Sequence, residues 1–311
     1  MILFASATPV VADAPFLGMP LDCVLGDTCV IQNFPDIDPS DTASDYRCGP
    51  KSTDGHNGTD FALLSFEHMQ DGARVIAAAS GRVTAVRSML PDQLYSPEMD
   101  IDGQECGNAV RIDHGNGYQT IYCHLKRGSV QVIPEQAVQA GQVLGDVGFS
   151  GRTTFPHLRF TVTQGDSVVD PFAPDQTNAC KDPNQDLWLD TPAYFDAGLF
   201  AAGVSNRVPN MEEVQSGTAR HTTLTRFDPM VLFGYAFHGD PEDTLELVMR
   251  GPSGEVFQHI AKLENVQDEF FRAFGMRPPN GGWPQGVYQG AVQLMRNGAV
   301  LAVRHANITV E

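Results

Sequence analysis

Residues 60–172 are written almost entirely as short β-forming segments separated by glycine turns, with little helical periodicity. A stretch of this kind can pack as an antiparallel sheet but not as a helical bundle. Segments 75–79 and 82–86 flank Ser80-Gly81, which predicts one hairpin, and 110–113 and 118–123 flank Gly115-Asn116-Gly117, which predicts another. Residues 143–145 and 158–163 add further strands. An open antiparallel sheet with histidines on one face forms a groove that suits an extended peptide.

The polar residues carried by these segments follow a pattern. His56 and Asp60 lie four residues apart in Gly55-His56-Asn57-Gly58-Thr59-Asp60, with glycines that allow close backbone approach. In Pro156-His157-Leu158-Arg159-Phe160, a strand places positions 157 and 159 on one face. A catalytic zinc takes three protein ligands and an open water position. An imidazole at 159 would complete such a set, but Arg159 stands there, and a guanidinium stays protonated and has no lone pair for a metal. Strand alternation also puts Tyr122 and His124 on one face and Cys123 on the other. His68, His114, His221, His238, His259 and His305 belong to no such constellation and read as ordinary packed or exposed residues, His114 bonding locally beside its turn.

The ordered series extends through Gly72-Ala73-Arg74-Val75, Ser80-Gly81-Arg82-Val83, Gly107-Asn108-Ala109-Val110, Tyr122-Cys123-His124-Leu125, Gly141-Gln142-Val143-Leu144-Gly145, the Gly148/Gly151 turn and Asp170-Pro171-Phe172. Taken together, it resembles the LytM/lysostaphin-type zinc endopeptidases, which cut peptide cross-links in peptidoglycan. The resemblance covers roughly residues 23–172, about half the chain. It implies zinc ligands at His56 and Asp60, non-ligand active-site histidines at His124 and His157, a third ligand position at Arg159, and a substrate groove lined by Tyr122, Asn108 and Arg159. In the family, zinc activates a water and polarises the peptide carbonyl, while the two extra histidines orient the water, move protons and stabilise the oxyanion.

The chain has 311 residues, enough for about two domains, and 42% apolar content, ordinary for a globular protein. A net charge of −18 argues against a nucleic-acid partner, which needs clustered Lys and Arg. No apolar run approaches the roughly 20 residues of a membrane span. Six cysteines, at 23, 29, 48, 106, 123 and 180, form no zinc ribbon and read as three disulfides made in an oxidising compartment, with free buried thiols as the alternative. A Cys106–Cys123 bridge fits only if the chain bends before its strand.

The expected organisation is as follows. Residues 1–14 are a remnant of a signal segment or a disordered end, and 15–54 an irregular disulfide-linked cap. Residues 55–175 form an all-β LytM-type peptidase-like domain, an open antiparallel sheet of the duplicated-hybrid-motif kind. Residues 176–220 form a linker with a short helix near 193–202. Residues 221–311 form an immunoglobulin-like β-sandwich, with a helical insertion at 268–274.

The expected function is that of a periplasmic or secreted pseudoenzyme with no zinc or weakly bound zinc. It would bind peptidoglycan or an envelope protein such as an amidase and regulate cell-wall hydrolysis. The alternatives are an active zinc endopeptidase on peptidoglycan cross-links and a structural envelope binding protein.

Overall fold

A computed structural model describes residues 14–175 and 186–311, so the proposed signal segment, Ala14 aside, and Cys180 lie outside the described residues. The main sheet runs in spatial order through Cys29–Asn33, Thr59–Leu63, His157–Gln164, Tyr118–Leu125, Asn108–Gly115, Gly81–Arg87 and Ala137–Val138. Every neighbouring pair is antiparallel, and Ser167–Val169 folds back onto His157–Gln164 as a hairpin. Period-two alternation sends Leu158, Phe160 and Val162 into the core with Val110, Ile112 and Tyr122, while His157 and Arg159 stand on the opposite face.

The Gly115-Asn116-Gly117 hairpin forms as expected, Asn116 taking a positive φ of 54°. The hairpin expected around Ser80-Gly81 does not form. Arg74–Ile76 pairs instead with Val143–Asp146, and Gly81–Arg87 pairs with Asn108–Gly115. Ala77, Ala78 and Ala79 are buried, and the Ala78 N–H donates to the Tyr122 hydroxyl at 2.8 Å, so the chain crosses between sheets rather than turning back. Gly81 is needed at that crossing, because a Cβ there would lie 2.4 Å from the Asp113 carbonyl oxygen.

Residues 15–54 are largely irregular, but the cap also contributes the edge strand Cys29–Asn33. A Cys23–Cys29 disulfide closes the loop before it, and Cys48 is disulfide-bonded as well. Phe34, Tyr46, Phe172 and Tyr194 form an aromatic cluster with ring centroids 5.1 to 5.8 Å apart that fastens the cap to the domain. The buried Asp45 carboxylate accepts from the backbone of Arg47, Gly49 and Lys51 and from the Tyr194 hydroxyl.

The C-terminal part has two sheets that share one apolar core. One comprises Gly198–Ser205, Met230–Gly239 and Gln267–Met276. The other comprises Thr223–Leu224, Ala299–Val310, Gly286–Arg296, Thr244–Gly251 and Gly254–Lys262. Two expectations fail here. The helix near 193–202 is absent, and those residues lead into the fully buried strand Gly198–Ser205; the short helix lies later, at Met211–Ser216, with an Asn210/Glu213 capping box. The helical insertion at 268–274 is instead the strand Gln267–Met276, whose pairing along Met230–Gly239 outweighs local preference.

The other face of the three-stranded sheet packs on the first domain. Phe200, Phe233, Tyr235 and Phe237 meet Val30, Ala62 and Phe155 in a third apolar cluster. His238 Nε2 donates to the Gln32 carbonyl at 2.7 Å across the same junction. Among the described residues no helix is long and apolar enough to cross a membrane.

Candidate active site

The site is assembled by strand register. Asp60 lies opposite Arg159, and Ala62 opposite His157, on the paired strands Thr59–Leu63 and His157–Gln164. Arg159 Nε donates to Asp60 Oδ1 at 3.0 Å. His56 Nε2 stands 3.2 Å from Asp60 Oδ2 and His157 Nε2 3.6 Å from Oδ1, while Asn33 Nδ2 donates to Oδ2 at 3.3 Å. Gly58 makes room for this approach, since a Cβ there would sit 2.9 Å from Arg159 Cγ and 3.0 Å from the Phe160 carbonyl oxygen.

His124 reaches the site by an unexpected route. Tyr122 pairs with Phe160 and Cys123 with Arg159, so Cys123 shares the Arg159 face and Tyr122 the core face. The following residue should then point into the core, but His124 adopts a left-handed φ of 64°, and its ring lies against His157 with centroids 4.6 Å apart. Gly107, with φ 64°, and a register irregularity between Asn108 and Val110 supply the bend that lets Cys106 bridge Cys123, and the His124 N–H donates to the Cys106 carbonyl.

Two residues expected in the groove belong to the scaffold. Tyr122 is fully buried, its hydroxyl held between Ala78 and Thr120. Asn108 is fully buried and clamps a loop: its amide donates to the Leu90 and Leu125 carbonyls and its oxygen accepts from the Leu90 N–H. His114 bonds across its hairpin to Thr120, as expected, and also to the Ser80 carbonyl, distant in sequence.

The charge states follow from burial and neighbours. Burial opposes ionisation of Asp60, but Arg159, His157 and His56 outweigh it and hold the carboxyl well below the usual carboxylate range. Burial, aided by His157 and Arg159, drives His124 well below the usual imidazole value. Burial also lowers His157, against the pull of Asp60 and with help from Arg159. His124 Nδ1 donates to the Ser150 carbonyl at 2.8 Å and His157 Nδ1 to the Phe155 carbonyl at 2.9 Å. A carbonyl oxygen can only accept, so both neutral rings carry the proton on Nδ1 and offer a lone pair at Nε2. The Nε2 atoms of His124 and His157 are buried without a hydrogen-bond partner among the described residues, while His56 Nε2 has the Asp60 carboxylate beside it.

His56, Asp60, His124 and His157 therefore lie together. They do not fit a three-ligand zinc centre. Arg159 bonds one oxygen of the Asp60 carboxylate, and among the described residues no group of three or more His, Cys, Asp and Glu is arranged to hold a metal ion. The adjoining cavity, about 270 Å³, is also lined by Tyr95, Arg152 and Glu269, which sequence reading missed. Glu269 comes from the second sheet system, and nothing in its local sequence marks it.

Residues 54–171 match Peptidase family M23. The chain is 42% identical over 67 residues to the DD-carboxypeptidase/endopeptidase Mpg of Neisseria meningitidis serogroup B, which is 22% of this chain and 15% of that protein. It is 34% identical over 120 residues to the peptidoglycan DD-endopeptidase ShyB of Vibrio cholerae, which is 39% of this chain and 23% of that protein. The catalytic domain of lysostaphin from Staphylococcus simulans aligns with 22% identity and a TM-score of 0.29, over 46% of this chain and 87% of that one. The match thus spans less than a quarter of each of the two curated relatives. Motif order, antiparallel sheet and the convergence of His56, Asp60, His124 and His157 all agree with the family match, and residues 54–171 are a peptidase family M23 domain of the LytM type.

Proposed function

We propose that this chain is an exported, zinc-poor or zinc-free LytM-type protein whose groove binds peptidoglycan peptides and which regulates wall hydrolysis rather than performing it. The observation that carries this reading is the Arg159 Nε to Asp60 Oδ1 hydrogen bond of 3.0 Å. A fixed cation sits on the carboxylate that would otherwise serve a metal. A regulatory role would be exercised on the wall or on an envelope enzyme such as an amidase, and the disulfides accord with a periplasmic or secreted location.

A second reading, an active zinc endopeptidase on peptidoglycan cross-links, is favoured by one feature. The buried imidazole Nε2 atoms of His124 and His157 make no hydrogen bond among the described residues, and buried polar atoms of that kind are retained at reactive sites. Incubation of the full chain with purified sacculi separates the two. The first reading expects retention on the wall with no release of cleaved peptides. Release of peptide fragments by wild-type protein would overturn it.

A further inference from the structure

The wall of the 270 Å³ cavity has more hydrogen-bond donors than the protein uses. Its acidic members are satisfied. Asp60 is held by Arg159 and Asn33. Glu269 accepts from Gln32 at 2.7 Å, from Gln215 at 3.0 Å and from the Tyr235 hydroxyl at 2.5 Å. Its basic members are not. Arg159 commits only Nε, and among the described residues its two Nη atoms make no hydrogen bond. The Arg152 guanidinium lies 5.2 Å from the centroid of the Tyr95 ring and makes no hydrogen bond or ion pair among the described residues. In a chain of net charge −18, two under-used guanidinium forks lining one cavity are a local reversal of sign. Planar forks of this type match a carboxylate.

The cavity also holds one buried acceptor. His157 Nε2 makes no hydrogen bond among the described residues, standing 3.6 Å from Asp60 Oδ1; its side chain is 10% exposed, and the Nδ1 bond to Phe155 leaves the lone pair on Nε2. An arginine pair with a nearby acceptor matches the last residue of a peptide, which carries a carboxylate and, one carbon away, an amide N–H.

We infer that this cavity recognises the free C-terminal carboxylate of a peptide, Arg152 and Arg159 receiving the carboxylate and His157 Nε2 accepting from the terminal amide N–H. The assignment rests on the peptide-binding reading above and adds a ligand class to it. Internal cross-links lack the group, so the cavity selects chain ends over intact bridges.

The test is calorimetric titration of the full chain with N-acetyl-D-Ala-D-Ala as the free acid and as its C-terminal amide. The acid is expected to bind at least about tenfold tighter than the amide, the worth of a charge-assisted contact, and Arg152→Gln is expected to remove that preference. Arg152 is exposed, so the substitution leaves the fold intact. Equal binding of acid and amide, no binding of the acid, or an unchanged preference in Arg152→Gln would overturn the assignment. Inorganic phosphate should compete weakly; phosphate binding as tight as the acid peptide would mean recognition of any oxyanion and would also overturn it. Wall retention without cleavage together with equal acid and amide binding removes only this assignment, whereas cleavage of sacculi removes the reading beneath it.

Discussion

Asp60 and Arg159 face each other across two paired strands, and the guanidinium Nε donates to the carboxylate at 3.0 Å. The contact is fixed by register rather than by a flexible loop. The Asp60 side chain is 5% exposed and that of Arg159 26%, so the charge that depends on its partner is the deeper one. This pair shapes what the groove can do, because it places a permanent positive charge on the buried Asp60 carboxylate.

Removing the guanidinium should therefore destabilise the protein. Arg159→Met strands a buried carboxylate, and a loss of about 3 kcal/mol is expected, at the low end for a buried pair because Arg159 is partly exposed. Asp60→Asn in the same background should recover part of that loss, since the uncompensated charge is gone. Denaturant unfolding of the two single variants and the double variant measures the coupling. Strict additivity would mean the two side chains do not depend on each other.

The Cys106–Cys123 bridge supports the left-handed turn that brings His124 to the site. It closes a loop of sequence separation 17. Replacing both cysteines by serine should lower stability by about 3 kcal/mol and raise hydrogen exchange at the His124 N–H, which donates to the Cys106 carbonyl. Unchanged exchange at that amide would show that the turn holds without the bridge.

Asp170 gives a pH signature of opposite sign to a typical paired carboxylate. It is fully buried, its Oδ1 accepts from the Phe172 N–H at 2.9 Å, and its Oδ2 has no hydrogen-bond partner among the described residues. Burial pushes its pKa up from 3.8 to about 7, the Asp45 charge adding to the effect. The unfolded chain releases this proton near 3.8 and the folded chain only near 7, so the residue reduces stability progressively as pH rises through that window. Asp170→Asn removes the penalty. Melting temperatures at pH 5 and pH 7.5 should show the variant gaining on wild type towards the higher pH, and a difference independent of pH would contradict the shift.

Much of this was legible in the sequence, because motif order and strand periodicity are local. The Gly115-Asn116-Gly117 hairpin and the His157/Arg159 face follow from turn chemistry and two-residue alternation. What escaped depends on contacts distant in sequence. Tyr122 and His124 were expected to share a face, but alternation breaks at the left-handed His124, a conformation that non-glycine residues seldom adopt. The hairpin at Ser80-Gly81 failed because the flanking segments found partners in different sheets. The strand Gln267–Met276 reads locally as helix, and its identity comes from pairing with Met230–Gly239. Glu269 enters the groove only because two units pack together.

The central claim is that Arg159 disarms the metal site of an otherwise intact cleft. Metal analysis of wild type and Arg159→His, both purified without chelators, tests it most directly. Wild type should carry well under one zinc per chain, and Arg159→His should approach one. A full equivalent of zinc in the wild-type protein would contradict the account.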